Sequence, residues 1–422
     1  MNLLRRLGGL RCATGFNQER LLRRHGSQFL HSRRRSCMEL VPVRRHTATV
    51  AQPPPPRCVL LNRCGCPRDS PIAADDKTAV GSSTSTGRPF RVSLGLVPPP
   101  ASSFLYIDWA GRSDGDQEAM AMPHVIAAHG AALLFGLPVH GDDPKIDYFL
   151  YSAAGHGGPP SLSLLPACYI PMLAGREREM RKQDTGILRR GEDELLVAQL
   201  EVKYDAPDMA ELCMLRPGRP WELKREVPIV PSGANRLIDA VVPVGDRFLC
   251  WVSYNLNTFL LCDMAEEENP KLHRVHNFGE ISPKFPKFRF FRIDPRCCCG
   301  GHGSSTCVRS SSAFRVTTWT MRLSAKGRPM AWRKVGVLDS DELWCLQGYE
   351  GLPRVWPECP VVSADNPDIV CFLVREEEFV SSQERKVWML EIDTMKKKLL
   401  SVGRCTAPPY KDEHHFSAKL HC

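Results

Sequence analysis

The stretch VWMLEIDTMKKKLLSV, residues 387–402, indicates a strand, a polar turn and a second strand. Its first seven residues are rich in apolar, β-branched and aromatic side chains, and a lysine-rich segment interrupts the run before apolar residues resume. The same order recurs elsewhere, in FLLCDMAEEENPKLHRV (259–275), AELCMLRPGRPWELKREV (210–227), YFLYSAAGHGGPPSLSLLP (148–166) and FRVTTWTMRLSAKGRPMAWRKVGV (314–337). The pattern is therefore a property of the whole chain.

A further strand often precedes such a pair, after a Gly-Asp or Gly-Glu-Asp turn, as in VGDRFLCWV (244–252) and RGEDELLVAQL (190–200). The chain thus repeats an antiparallel four-stranded unit about every 50 residues, which is the period of propeller blades. At that period, the segment from Phe90 to Arg404 holds about six units. We predict an all-β fold, a β-propeller-like array of these units. A pair of β-sandwiches is the alternative.

Nine short runs, each bounded by turn-forming residues, are predicted strands. They are FRVSLGLV (90–97), FLYIDWA (104–110), YFLYSA (148–153), LLVAQLEV (195–202), RFLCWVSY (247–254), FLLCDM (259–264), FRVTTWTMRL (314–323), DIVCFLV (368–374) and VWMLEID (387–393).

The net positive charge of the chain comes from its first 50 residues. The formal net charge is +9 over 422 residues, and residues 1–50 account for all of it, with eleven arginines against Glu19 and Glu39. Because the remaining residues are electrically balanced, we expect no nucleic-acid partner. No apolar run reaches the ~18 residues of a membrane span, so we also expect no membrane insertion.

The same composition predicts three regions. Residues 1–56 are a disordered Arg-rich leader with a proline linker, residues 57–407 are the propeller-like domain, and residues 408–422 are a disordered tail. The leader lacks the continuous apolar core of an export signal, so we expect an intracellular protein with reduced thiols, in the cytoplasm or nucleus. If residues 1–56 are a transit peptide, the location is a mitochondrion or plastid instead.

Seven motifs in fixed order resemble one family. They are SLSLLPACYIPM, TGILRRGEDELLVAQLEV, VVPVGDRFLCWV, RCCCGG, TTWTMRL, DELWCLQGYEGLPRVWPECPVVSADNPDIVCFLV and VWMLEIDTMKKKLLSV. Together they are similar to the plant domain-of-unknown-function 1618 (DUF 1618) family, which is expanded in grasses. The resemblance runs from about Pro56 to Ala407 and is densest over 148–265 and 314–402.

The resemblance implies no catalytic residues, because the family has no assigned reaction. Its layout is similar to the propeller domains that follow F-boxes in plant ubiquitin-ligase adaptors, which implies protein binding. Two segments depart from the family pattern: residues 1–56 fall outside it, and residues 266–296 are shortened or rearranged. We see no F-box-like leucine-rich helical segment before the domain, so the resemblance does not by itself support the ligase-adaptor role.

The stretch RCCCGGHGSSTC (296–307) is the main candidate for metal or redox chemistry. In an extended chain Cys297 and Cys299 point to one side and Cys298 to the other. A zinc site could therefore be built from Cys297, Cys299, His302 and Cys307 around the Gly300–Gly301 turn, although this spacing matches no standard zinc motif. The alternatives are a reduced hairpin loop and a redox site.

Other motifs point away from catalysis. The stretch GSSTSTGR (81–88) has the wrong glycine spacing for a phosphate loop and lacks its lysine, so it is predicted as a flexible loop. Acidic pairs such as Asp75–Asp76 and Asp341–Glu342 occur at turn signals. We therefore predict a non-enzymatic protein-interaction domain without a cofactor, binding proteins through the loops at 81–89, 111–123, 154–161, 231–237 and 297–313. A metal-binding or redox-sensing protein, or an enzyme, using the loop at 297–307 is the alternative.

Overall fold

The computed structural model describes residues 58–68, 72, 76–110, 121–139, 145–153, 158–169, 177–191, 194–233, 238–253, 258–266, 268–276, 288–299, 307, 312–321, 332–363, 365–376, 386–405 and 415–418. All of them belong to one compact unit, Met38–Cys422. The other unit, Met1–Cys37, and with it the predicted leader at 1–56, lies outside the described residues.

The described part is mostly β, with 25 strands and one five-residue helix. Among the described helices there is none with the length and apolar character that crossing a membrane requires. All nine predicted strand runs are strands, with boundaries that differ by a few residues.

The first sheet joins strands from both ends of the described chain. Its strand order is β25-β1-β5-β4-β3, and β2 pairs with β5 off this path. The strands are β1 (Val59–Asn62), β2 (Cys66–Pro67), β3 (Val80–Ser83), β4 (Pro89–Gly95), β5 (Ser102–Trp109) and β25 (His415–Ala418).

Two predictions are corrected by this sheet. Residues 415–418, placed in a disordered tail by the sequence, form β25 and pair antiparallel with all of β1. Strand β1 would otherwise present unpaired N–H and C=O groups at a sheet edge, and β25 satisfies them. The predicted loop at 81–89 is a hairpin, because Gly81 to Ser83 belong to β3 and Pro89 begins β4.

The second sheet is an antiparallel meander in chain order. It consists of β6 (His124–His129), β7 (Ala132–Val139), β8 (Lys145–Ser152) and β9 (Ser161–Leu164).

Two further four-stranded meanders are joined edge to edge into one eight-stranded sheet. The first is β10 (Thr185–Arg190), β11 (Glu194–Val202), β12 (Met209–Leu215) and β13 (Glu222–Val230). The second is β14 (Ala240–Val244), β15 (Phe248–Ser253), β16 (Thr258–Asp263) and β17 (Leu272–His276). They meet where β13 and β17 pair in parallel through Ile229 with Leu272 and Val230 with His273.

The last two sheets contain three and four strands. They are β18 (Phe288–Pro295), β19 (Phe314–Met321) and β20 (Trp332–Asp339), followed by β21 (Glu358–Val362), β22 (Ile369–Arg375), β23 (Val387–Asp393) and β24 (Lys398–Cys405). Helix α1 (Ser340–Trp344) lies between them, and a capping box of Asp339 and Glu342 begins it.

Side chains of the middle strands alternate between two hydrophobic cores. In β7, Leu133 and Phe135 contribute to the core with the first sheet, whereas Leu134 contributes to the core with β10–β12. In β11, Leu196 is in the core shared with β15 and β16, on the opposite side from Val197. Strands buried on both faces have continuous apolar sequences, which is the pattern that predicted them.

This packing links the sheets in succession. The first sheet packs on strands β6–β9. Strands β6–β9 also pack on β10–β12, and strands β10–β13 pack on β14–β17. The sheet β18–β20 packs on β21–β24, and Leu60 of β1 packs among Cys371, Leu373 and Met389 of that last sheet. The first and last sheets thus share a core, while the sheet β18–β20 has three strands among the described residues, where the repeat predicts four.

Candidate functional site

The predicted cysteine cluster lies in the connection between β18 and β19. Arg296 anchors its base: its backbone N–H donates to the carbonyl of Ala313 at 3.0 Å. One Nη atom of the same side chain lies 2.6 Å from carboxylate oxygens of Asp339 and Asp341, at the start of helix α1. The loop therefore begins from a fixed point.

Three thiols converge just beyond this anchor. The Sγ atoms of Cys297, Cys298 and Cys307 all lie within 4.8 Å of one another. The Cys297 and Cys298 sulfurs are 3.9 Å apart, and the backbone N–H of Cys298 donates to the Cys307 sulfur at 3.5 Å. A backbone hydrogen bond from Cys299 lowers the pKa of Cys297, but hydrogen bonds with the thiols of Cys299, Cys307 and Cys298 outweigh it and raise that pKa to about 11.

The structure brings together some of the predicted metal ligands. Cys297 and Cys307 are in the cluster, Cys299 is hydrogen-bonded to Cys297 but outside the group of three, and His302 lies outside the described residues. Cys298 takes part because the chain turns at this residue, so the strand alternation that would have directed it away no longer applies. Three or four thiolates form a soft donor set suited to zinc or Cu(I).

A second site, not predicted from the sequence, is a pocket of about 320 Å³ beside the segment that follows β9. It is lined by Pro166, Ala167, Cys168, Tyr169, Arg178, Cys213, Pro220, Trp221 and Leu223. Trp221 holds that segment in place, since its indole N–H donates to the carbonyl of Pro166 at 2.8 Å. Tyr169 is 57% exposed at the rim.

Arg178 forms the charged wall of this pocket. Its backbone N–H donates to the carbonyl of Cys168 at 2.6 Å, and its guanidinium lies 3.0 Å from Glu201 and 2.7 Å from Glu211. The side chain is only 5% exposed, and burial by itself would lower its pKa, but the bond to Glu211 and the other negative groups raise the pKa above its ordinary value. Arg178 therefore stays charged in a largely buried position.

Two thiols meet in the same pocket. The Sγ atoms of Cys168 and Cys213 are 3.4 Å apart, and both residues are buried. The hydrogen bond from Cys213 lowers the pKa of Cys168, burial opposes this, and the charge of Arg178 lowers it further. The same hydrogen bond, together with burial, raises the pKa of Cys213.

No sequence signal predicted this pair. Cys168 follows a short strand, Cys213 lies inside a long one, and 45 positions separate them. Cys250, Cys262 and Cys371, which lie within predicted strands, are buried and free in the structure. Cys66, in contrast to the expectation of reduced thiols, is disulfide-bonded.

Among the described members of the acidic pairs, Asp76 and Glu342 accept backbone hydrogen bonds, and Asp341 pairs with Arg296. Asp76 accepts from the N–H of Thr78 at 2.9 Å, and Glu342 accepts from the N–H of Asp339 in the capping box. A hollow of about 360 Å³ at the β16–β17 turn, lined by Ala265, Glu266, Glu268, Asn269 and Lys271, contains no thiol or histidine. Asp75 lies outside the described ranges.

Comparison with protein families finds one match. Residues 262–371 match the family model described as "Protein of unknown function (DUF1618)". This confirms the resemblance to that family over this part of the chain, which includes the cysteine cluster and the segment 266–296. No curated protein matches the chain.

Three solved structures that are similar to this chain have low TM-scores. A functionally unknown protein from Desulfotomaculum acetoxidans has TM-score 0.30 and 12% identity, with 80% of this chain and 88% of that chain covered. The WD40 domain of SCAP from fission yeast has TM-score 0.28 and 11% identity, with 84% and 89% covered. AztD from Citrobacter koseri has TM-score 0.28 and 10% identity, with 82% and 88% covered.

Proposed function

We propose that the domain is a propeller-like, non-enzymatic protein-interaction module. The succession of the sheets supports this layout: the first sheet, β6–β9, β10–β13 and β14–β17 pack one on the next, β18–β20 packs on β21–β24, and β1 shares one core with the second sheet and another with the last. With the eight-stranded sheet taken as two meanders, the described residues form six units. An array closed in this way would present its turns and connections at the two ends of the sheets, where propellers bind partners.

The pocket beside β9 is the binding surface that we propose. Tyrosine, tryptophan and arginine are the residues most often found at the energetic centres of protein interfaces, and Tyr169, Trp221 and Arg178 surround one concave surface. Trp221 and Arg178 are held in place by hydrogen bonds, so binding would cost little side-chain entropy. This convergence is the observation that carries the proposal.

Quantitative affinity capture from the native tissue would test this proposal. The matched substitutions are Tyr169→Ser, at the pocket rim, and Tyr204→Ser, in the β11–β12 turn, because both tyrosines are exposed, by 57% and 82%. We expect at least one protein to be captured by the wild type and by Tyr204→Ser but not by Tyr169→Ser. Equal capture by all three proteins would contradict binding at this surface.

Metal binding at the cysteine cluster is the second candidate function. It is favoured by the convergence of Cys297, Cys298 and Cys307 within 4.8 Å, with Cys299 bonded to Cys297. A bound cation would remove the thiol protons, because coordination stabilises the thiolate form. The predicted ligand His302 would not be required, since Cys297 and the three thiols hydrogen-bonded to it already supply four sulfur atoms.

A further inference from the structure

The pair Cys168–Cys213 joins two separate sheets. Cys168 lies in the segment that leaves β9, in the second sheet, and Cys213 lies in β12 of the next one. The segment is fixed at both sides of the thiol: Leu165 N–H donates to the Tyr148 carbonyl at 2.8 Å, and Arg178 N–H donates to the Cys168 carbonyl at 2.6 Å. The 3.4 Å sulfur separation is thus set by the packing of the two sheets.

The surroundings give the two thiols different roles. Both sulfurs line a pocket large enough to admit a small oxidant, and the Arg178 guanidinium belongs to the same pocket. Cys168 is the thiol with the lowered pKa, so it forms the thiolate more readily. Cys213 keeps its proton and is within reach of the Cys168 sulfur, which is the arrangement of an attacking thiol and a resolving thiol.

We infer that Cys168 and Cys213 form a peroxide-responsive dithiol site, which is oxidised reversibly to a disulfide in the pocket. The Cys168 thiolate attacks one oxygen of hydrogen peroxide, the O–O bond breaks, and the released hydroxide takes up a proton to leave as water. Cys213 then attacks the sulfenic acid on Cys168, the S–O bond breaks, and the hydroxide leaves as water with the Cys213 proton. The net change oxidises two thiols to one disulfide and reduces one peroxide to two waters.

Oxidation at this site would couple the two sheets covalently. It would also replace two thiols by a disulfide in the wall of the pocket beside Tyr169 and Trp221. The dithiol reacts with peroxide whether or not the pocket binds a protein, so the two proposals can fail separately.

Other cysteines serve as internal controls. Cys250 and Cys262 are free and buried, and burial raises the pKa of both, that of Cys262 to about 12. The partly exposed cluster at Cys297, Cys298 and Cys307 could form its own disulfide, so a triple Cys→Ser variant of the cluster provides a background without that reaction.

The experiment uses the reduced full-length chain and hydrogen peroxide, followed by thiol blocking, digestion and mass spectrometry. We expect a peptide that joins Cys168 to Cys213, formed before Cys250 or Cys262 is oxidised and reversed by dithiothreitol. Cys213→Ser should accumulate several-fold more Cys168 sulfenic acid, trapped by dimedone, than the wild type, and Cys168→Ser should form neither product. Thermal melting shows whether each variant is folded.

The inference is overturned if the wild type forms no such joined peptide, or if Cys250 and Cys262 react as fast as Cys168. It is also overturned if a folded Cys213→Ser variant accumulates no sulfenic acid at Cys168. The wild-type measurement decides the matter even if both variants fail to fold.

Discussion

Leu61 of β1 and Phe416 of β25 are paired in an antiparallel register, so that the first and last described strands are neighbours in one sheet. Strand β1 also packs on the last sheet through Leu60 and on the second sheet through Val59 and Leu61. The first and last sheets are therefore joined through strands from both ends of the described chain.

Deletion of residues 415–422 should destabilise the domain. It removes four paired positions from β1, and at about 1 kcal/mol for each net hydrogen bond the expected loss is about 2–4 kcal/mol in the free energy of unfolding. Urea denaturation would measure it. Deletion of residues 419–422 alone removes none of the paired residues and serves as the control, and equal midpoints for the two deletions would argue against the pairing.

The Trp251 side chain should stabilise the fold through its hydrogen bond as well as through its buried ring. It is fully buried, and its indole N–H donates to the carbonyl of Asp184, just before β10, at 2.8 Å. Trp251→Phe removes this hydrogen bond while the Asp184 carbonyl keeps the one from the Leu200 N–H at 3.0 Å, so it should cost about 0.5–1.5 kcal/mol more than Trp109→Phe. Trp109 is the matched control because it is also buried, and its indole N–H has no hydrogen-bond partner in the described part. Equal losses of stability in urea would contradict the role of the Trp251 bond.

The ion pair of Asp263 and Arg247 should make stability depend on pH. Burial of Asp263 raises its pKa, but hydrogen bonds from Arg247 and Ala265 outweigh this effect, and the pKa lies below its ordinary value of 3.8. A carboxyl whose pKa is lower in the folded state stabilises the fold above its unfolded pKa, and this contribution is lost as the pH falls through the folded value.

Asp263→Asn should therefore reduce stability at neutral pH, and the difference from the wild type should shrink as the pH falls below about 3.8. The control is Asp246→Asn, at an exposed position next to Arg247 in the β14–β15 turn. Denaturation midpoints between pH 7 and pH 3 would measure both variants. A difference for Asp263→Asn that stays constant over this range would show that the carboxylate charge is not responsible.

Metal content tests the cysteine cluster. Protein purified without chelators should contain stoichiometric zinc or copper by elemental mass spectrometry, and Cys298→Ser or Cys307→Ser should lose most of it. Cys345→Ser, which removes an exposed free thiol outside the cluster, should retain the metal. Folded wild-type protein that neither contains nor takes up either metal would eliminate this function.

The strands could be predicted because most of them are buried on both faces. In β16, Phe259 and Leu261 enter one core and Leu260 and Cys262 another, so the sequence contains an unbroken apolar run. Strand β25 has only four residues, HFSA, and no such run. What selects it is the unpaired edge of β1, which is a property of the assembled sheet and not of the local sequence.

The two cysteine sites also differ in whether the sequence could predict them. Cys297, Cys298 and Cys307 are close in sequence, so a cluster could be expected, but the turn at Cys298 brought this residue into the group of three and Cys299 lies outside it. Cys168 and Cys213 approach each other because two sheets pack together, and no local spacing encodes that contact. The pocket residues Tyr169 and Arg178 lie in the β9–β10 connection and Trp221 lies in the β12–β13 turn, so they could not be grouped from the sequence for the same reason.

Site-specific photo-crosslinking in the native tissue is the most direct test of the proposed binding surface. A photoreactive phenylalanine analogue at position 169 would sit at the rim of the pocket, and the same analogue at position 204 would sit on another exposed turn. We predict a discrete protein adduct from position 169 that position 204 does not give, and that Trp221→Ala weakens. The same adducts from both positions, or none from position 169 in folded protein, would contradict the account.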